Sequence, residues 1–427
     1  MSLGDRLFRI RRVNLDYLFQ IRKPHLSFTK ETVSLCLLYA GLLLACLGSL
    51  NPWFMWPIGN KFPILCAVLF IIPSLLVAGS MKVNTVYTRR DMYLAWVLFA
   101  VLIMFMQFAN DRNINAYLVA AFQIPIFYAL LCMDAKYLKT FSTLACKAMA
   151  LLMCVSIPFF YLYLFGFRFP GRSAVFGENL YSFTNYYFFM IDDRFVWDII
   201  PRFHSVFLEP GHLGTATVML LLTQMGQWRK WYNVVLWFTT VITFSLAAYA
   251  FIVAMLFLNS WVHRRKIWAK VAVTVLLVAG IGIGARFYNN GDNLVNNLIM
   301  LRLEVDEKTG EMSGNNRVTA SFEKEFDSFM TSSDIWFGRE MPKGDQGNSG
   351  YRVFIYENGL ISLLLVVCFY LLVFVKGPDS RAILASLTLV LLAFIVRGYP
   401  LWYSNFIPCM AAAYNCFKVQ TEERKEE

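Results

Sequence analysis

The stretch Pro201–Gly214, PRFHSVFLEPGHLG, places Arg202, His204, Glu209 and His212 immediately before an apolar run. Ionisable side chains at a membrane edge are costly and mark partners or function. A guanidinium grips phosphate in a fixed fork and keeps its charge at any physiological pH, which makes Arg202 a candidate phosphate ligand. Glu209 is either a general base or a helix cap, because anions favour a helix N-terminus. His204 and His212 are either ligand contacts or buried hydrogen-bonding groups. A second set lies further on: Arg317 in SGNNRVTA, Arg339 in WFGRE, and Tyr351, Arg352 and Glu357 in GYRVFIYE. Turn-rich surroundings leave Arg317 and Arg339 able to reach a ligand. With Arg168, Arg172 and Arg397 these arginines sit beyond or at the same ends of apolar runs, and as a set they favour an anionic, lipid-linked ligand.

The elements that must hold these groups are membrane helices. Of the 427 residues 58% are hydrophobic, 17% aromatic and only 16% charged, with a mean hydropathy of +0.52. Windows long enough for ~30 Å of hydrocarbon fall near 33–50, 62–79, 92–109, 114–133, 148–167, 212–226, 232–244, 246–262, 270–286, 353–375, 382–396 and 400–417. The fold class expected is therefore an all-α polytopic membrane protein of about twelve transmembrane helices. The run from Trp231 to Val262 divides in two, because Arg229 and Lys230 precede it and Arg264, Arg265 and Lys266 follow it. Both ends then lie on the cytoplasmic side, with an outer turn near Thr243, Phe244 and Ser245.

With both termini inside, basic residues concentrate in the cytoplasmic segments and the external ones carry a slight acidic excess. The net charge of +11 is thus a topology signal, and no nucleic-acid partner is expected. The chain divides into a basic cytoplasmic segment, 1–32, a single transmembrane domain, 33–417, and a cytoplasmic tail, 418–427. The segment from Arg6 to Lys30 reads either as an amphipathic helix on the inner surface or as a plain anchor. No cleavable signal peptide is expected. All nine cysteines fall in or beside apolar runs and read as small buried hydrophobes. No Cys–His spacing suggests zinc, and no metal site is expected.

Two external loops are long, 168–211 and 287–352, and long loops concentrate function. The first is aromatic, including Phe167, Phe169, Tyr181, Phe183, Tyr186, Tyr187, Phe188, Phe189, Phe195 and Trp197. It is either a sugar-stacking surface or an interfacial belt or helix on the bilayer. The second is polar, with short amphipathic helices expected at Asn293–Glu304 and Ala320–Met330. The latter carries Phe322, Phe326 and Phe329 on one face, as a cap over a cavity would.

FLEPGHLG after an arginine, the TFSLAAY turn and NSGYRVFIYENGLIS together resemble the O-antigen polymerase family, the Wzy-type polysaccharide repeat-unit polymerases, which are related to O-antigen ligases. The resemblance spans residues 33–417 and rests as much on layout as on these short motifs. It implies a GT-C-like glycosyltransferase in the bacterial inner membrane, with its active site facing the periplasm. Such an enzyme transfers a growing glycan from undecaprenyl pyrophosphate to a new lipid-linked repeat unit, as in lipopolysaccharide biosynthesis. Arginines would stabilise the leaving pyrophosphate without a metal or cofactor. Membrane lipids and a chain-length regulator are the implied partners. Arg202 matches the arginine before the EPG-like segment, and Arg317 and Arg339 match those of the second loop. Ligases open the late span with a His-Asn-x-Tyr pattern. Here Asn348, Ser349, Gly350 and Tyr351 stand there without a histidine, and Leu246 follows Ser245 where ligases carry Ser-Arg. Both departures favour polymerase over ligase. A lipid-linked oligosaccharide flippase or transporter is the other alternative, although the two halves show no internal repeat.

Overall fold

The computed structural model describes residues 29–78, 88–109, 114–177, 181–193, 201–262, 267–293, 295–301, 304, 320–341, 350–375 and 379–414. The segment expected to lie on the inner surface, Arg317, His25, His263, Trp197, Asn348, Ser349 and the C-terminal tail fall outside them.

A helix lies at each of the twelve apolar runs. In chain order these are α1 (Lys30–Gly48), α2 (Gly59–Ala78), α3 (Arg89–Ala109), α4 (Ile114–Cys132) and α5 (Ala135–Leu164). Then come α6 (Pro210–Thr223), α7 (Trp231–Ile242), α8 (Leu246–Val262) and α9 (Ile267–Phe287). After α10 (Ala320–Met330) in the second loop follow α11 (Gly350–Phe374), α12 (Ser380–Val396) and α13 (Tyr403–Ala413). Among the described residues six, α1 to α5 and α11, are long and apolar enough to cross a membrane, and the architecture is that of a helical membrane protein.

α6 and α13 are too short to cross ~30 Å at 1.5 Å per residue, and packing explains their composition. α6 is surrounded by α5, α7, α8, α12 and α13, and α13 packs in turn on α1, α5, α6 and α12. Every residue of α6 from Gly211 to Thr223 is buried, as is all of α13. A helix apolar on all sides belongs inside a bundle. The break between α7 and α8 falls at 243–245, with Phe244 in the left-handed region at φ 47°.

The all-α expectation needs correction in the first loop. There β1 (Arg172–Phe176), β2 (Tyr181–Asn185) and β3 (Met190–Asp192) form an antiparallel meander, with Ala174 opposite Phe183 and Thr184 opposite Ile191. Alternation in RSAVF and YSFTN, with aromatic and β-branched side chains, is a strand pattern. The aromatics of this loop also divide: Phe183 and Phe189 are buried, whereas Phe167, Tyr187 and Phe188 remain exposed. They are in part the core of a small cap and not a continuous surface.

In the second loop, α10 forms as expected and buries Phe322 and Phe329 against Tyr356 of α11. Among the described residues of Asn293–Glu304 the helical element is a π-type turn at Asn296–Met300. The cap is keyed into α11 where that helix breaks. Gly359 adopts φ 74°, and a Cβ there would overlap the Trp336 carbonyl. The Arg339 N–H donates to the Tyr356 carbonyl at 2.6 Å, satisfying a backbone acceptor near the break.

Candidate functional site at the mouth of the buried helix

Pro210 opens α6 at a position where the missing N–H costs nothing, and Glu209 before it is extended at φ −140°. The Glu209 carboxylate makes no hydrogen bond to the helix end. It accepts from the Tyr181 hydroxyl of β2 at 2.5 Å and pairs with Arg397 Nη1, after α12, at 2.8 Å. His212 Nε2 lies 3.8 Å from the same carboxylate. Three elements distant in sequence therefore meet on one carboxylate. Burial alone would raise its pKa, but Arg397, His212 and Tyr181 outweigh burial and hold Glu209 below the ordinary carboxylate range.

Arg397 is 7% exposed and approaches the backbone so closely that a Cβ at Gly211 would overlap its guanidinium. Its Nε is buried without a hydrogen-bond partner among the described residues. One helical turn on, a Cβ at Gly214 would lie 2.6 Å from that of Ala248. In PGHLG the first glycine thus admits the arginine and the second admits the α7–α8 turn.

The chain leading into Glu209 is clamped on both sides. Met190 of β3 donates its N–H to the Ser205 carbonyl at 2.9 Å, and Trp53 donates its own to Val206 at 3.0 Å. Ser205 is fully buried at φ 54°, a conformation that costs a non-glycine residue about 1 kcal/mol. His204 donates from Nδ1 to the Phe207 carbonyl at 2.6 Å, which leaves Nε2 as a buried acceptor without a partner among the described residues. Burial pushes the His204 pKa down, with the Phe207 carbonyl and Asp192 opposing, so the ring stays neutral. Arg202 is half-buried and lies near enough to His204 and to Tyr249 of the TFSLAAY turn to act on the charge of both.

Aromatic rings wall the charged cluster. Trp402 meets the His212 ring in a T-shaped contact at 4.7 Å and stacks on Tyr399 at 4.4 Å with 3° between planes. Tyr399 is 44% exposed. Its hydroxyl is pushed above its ordinary range, first by desolvation and then by Glu357 and Glu209, with Arg397 opposing. Glu357 itself is half-buried, two residues before the break in α11.

Arg339 and Arg352 stand apart from this cluster. Arg339 donates to Asp334 at 2.8 Å and to Glu325 at 3.2 Å, which raises its pKa first through the Asp334 bond. Where the sequence left this side chain able to reach a ligand, the fold commits it to the loop. Arg352 pairs with Glu323 at 3.6 Å, lies over Phe326, and touches the hydroxyl of the exposed Tyr351. Both arginines fasten the second-loop cap to α11. The groups that sequence reasoning did not join to Glu209 are Tyr181, Arg397, Tyr399 and Trp402. The only local signal was RGYPLWY after an apolar run, an arginine with three rings and a proline at a helix end.

No family model matches the chain, and no curated protein or solved structure matches it.

Proposed function

We propose that the protein is a polysaccharide repeat-unit polymerase of the O-antigen type, acting at the periplasmic face of the bacterial inner membrane. The observation that carries this reading is the buried Glu209–Arg397 pair at the mouth of α6, with Arg202 at the same mouth. Donor and acceptor would both be repeat units on undecaprenyl pyrophosphate.

In the reaction an acceptor hydroxyl oxygen bonds to the anomeric carbon of the growing glycan. The bond from that carbon to the pyrophosphate oxygen breaks, and its electron pair leaves with the phosphate. Arg202 and Arg397 supply fixed positive charge where negative charge develops. Glu209 holds Arg397 in place; kept below the ordinary carboxylate range, it is a poor proton acceptor. Glu357, whose charge acts on Tyr399, is then the carboxylate we assign to take the acceptor proton.

Deleting the gene in its own host and resolving the surface glycan on a sugar-stained gel tests the reading. The expected result is loss of the ladder with a single repeat unit still attached to its final acceptor. Accumulation of unattached lipid-linked polymer would mean a ligase, and an unchanged ladder would return the flippase or transporter.

A further inference from the structure

We propose that Tyr399, backed by Trp402, is a stacking platform for one sugar ring of the acceptor or donor glycan; this rests on the polymerase reading and adds a subsite to it. Parallel stacking at 4.4 Å covers one face of the Tyr399 ring, while the residue remains 44% exposed, so the opposite face is the one a ligand would use. The platform is stiff. Trp402 also packs on His212, and the connecting turn is closed by the Tyr399 N–H to the Arg397 carbonyl at 2.7 Å and the Trp402 N–H to the Tyr399 carbonyl at 3.4 Å. A flat ring braced in this way loses little entropy on binding.

Chemistry selects the occupant. A pyranose offers an apolar face of axial C–H groups, ringed by hydroxyls. The C–H face fits the aromatic plane, and the hydroxyls can meet the charged groups that act on the Tyr399 hydroxyl, namely Glu209, Arg397 and Glu357. Arg397 Nε is closed off from solvent, so the member of the pair that a sugar hydroxyl could reach is the Glu209 carboxylate, 18% exposed. A lipid acyl chain would fit the ring equally well but offers no hydrogen bond to these groups. A sugar is therefore favoured over lipid.

The test uses the purified full-length protein in nanodiscs and, as probe, the lipid-free repeat-unit oligosaccharide released from the host's surface glycan by mild acid. Saturation-transfer difference NMR should show transfer to axial C–H protons of one residue. Tyr399→Phe should retain it, and Tyr399→Ala should weaken binding by about tenfold, equivalent to about 1.4 kcal/mol. Because the ring is exposed, both variants should keep the wild-type elution profile. Undiminished transfer in Tyr399→Ala overturns the platform, as does the absence of transfer in the wild type. Loss of transfer to phospholipid acyl protons, with sugar transfer unchanged, would identify a lipid contact and likewise overturn it. Failure of the platform is separable from failure of the polymerase reading. A deletion strain that loses its ladder while Tyr399→Ala binds normally sinks only the platform. An unchanged ladder with binding lost in Tyr399→Ala sinks only the reaction.

Discussion

Arg397 reaches across from the end of α12 to pair with Glu209 at 2.8 Å, through space left open by the absence of a side chain at Gly211. Arg397 is 7% exposed and the Glu209 side chain 18%, so each partner has little water to replace the other.

Removing one partner strands a charge in the protein interior, which costs about 3–5 kcal/mol. Glu209→Gln and Arg397→Met should each lower the unfolding temperature in detergent, while the double variant should recover part of the loss. Gly211→Ala should mimic Arg397→Met by displacing the guanidinium. Additive losses in the double variant would show that the two residues act independently. A depressed carboxylate stabilises the fold above its unfolded pKa, about 4.3, and that contribution is lost only as pH falls through the lower folded value. No acid limb in stability near neutral pH should therefore trace to Glu209.

Arg202→Lys keeps the charge and loses the fork. We expect polymer length and amount on the sugar-stained gel to fall by about 10²-fold, the scale of removing one fixed donor to developing charge, with membrane levels of the protein unchanged. Full activity in this variant would remove Arg202 from phosphate binding.

His204 is held neutral by burial, whereas the unfolded chain takes up a proton near pH ~6.5. Below that pH the unfolded state binds more protons, so stability should fall by up to about 1.4 kcal/mol per pH unit. Thermal melts from pH 7.5 to 5.5 should show this slope, and His204→Gln should flatten it. An equal slope in both would locate the titration elsewhere.

Gly359 lies at φ 74° with the Trp336 carbonyl where a Cβ would sit. Gly359→Ala should cost more than about 1 kcal/mol and loosen the second-loop cap. Limited proteolysis should cut within 320–341 faster than in wild type, and equal cutting rates would show that the break does not hold the cap.

Much of the helical layout was legible in the sequence because hydrocarbon imposes a simple rule: long apolar runs become helices, and basic residues mark where they end. The break at 243–245 followed from flanking charges alone, as did α10 from the spacing of Phe322, Phe326 and Phe329. The strands at 172–192 were also written locally, in alternation that aromatic richness obscured. The Glu209 cluster was not. Its members come from β2, the start of α6 and the turn after α12, and nothing in the local sequence records that these ends converge. Pairing between distant side chains depends on how the helices pack. That packing decided that Glu209 faces Arg397 instead of capping its own helix, and that Arg339 and Arg352 fasten a cap. It also left Tyr399 exposed in the turn that carries Arg397.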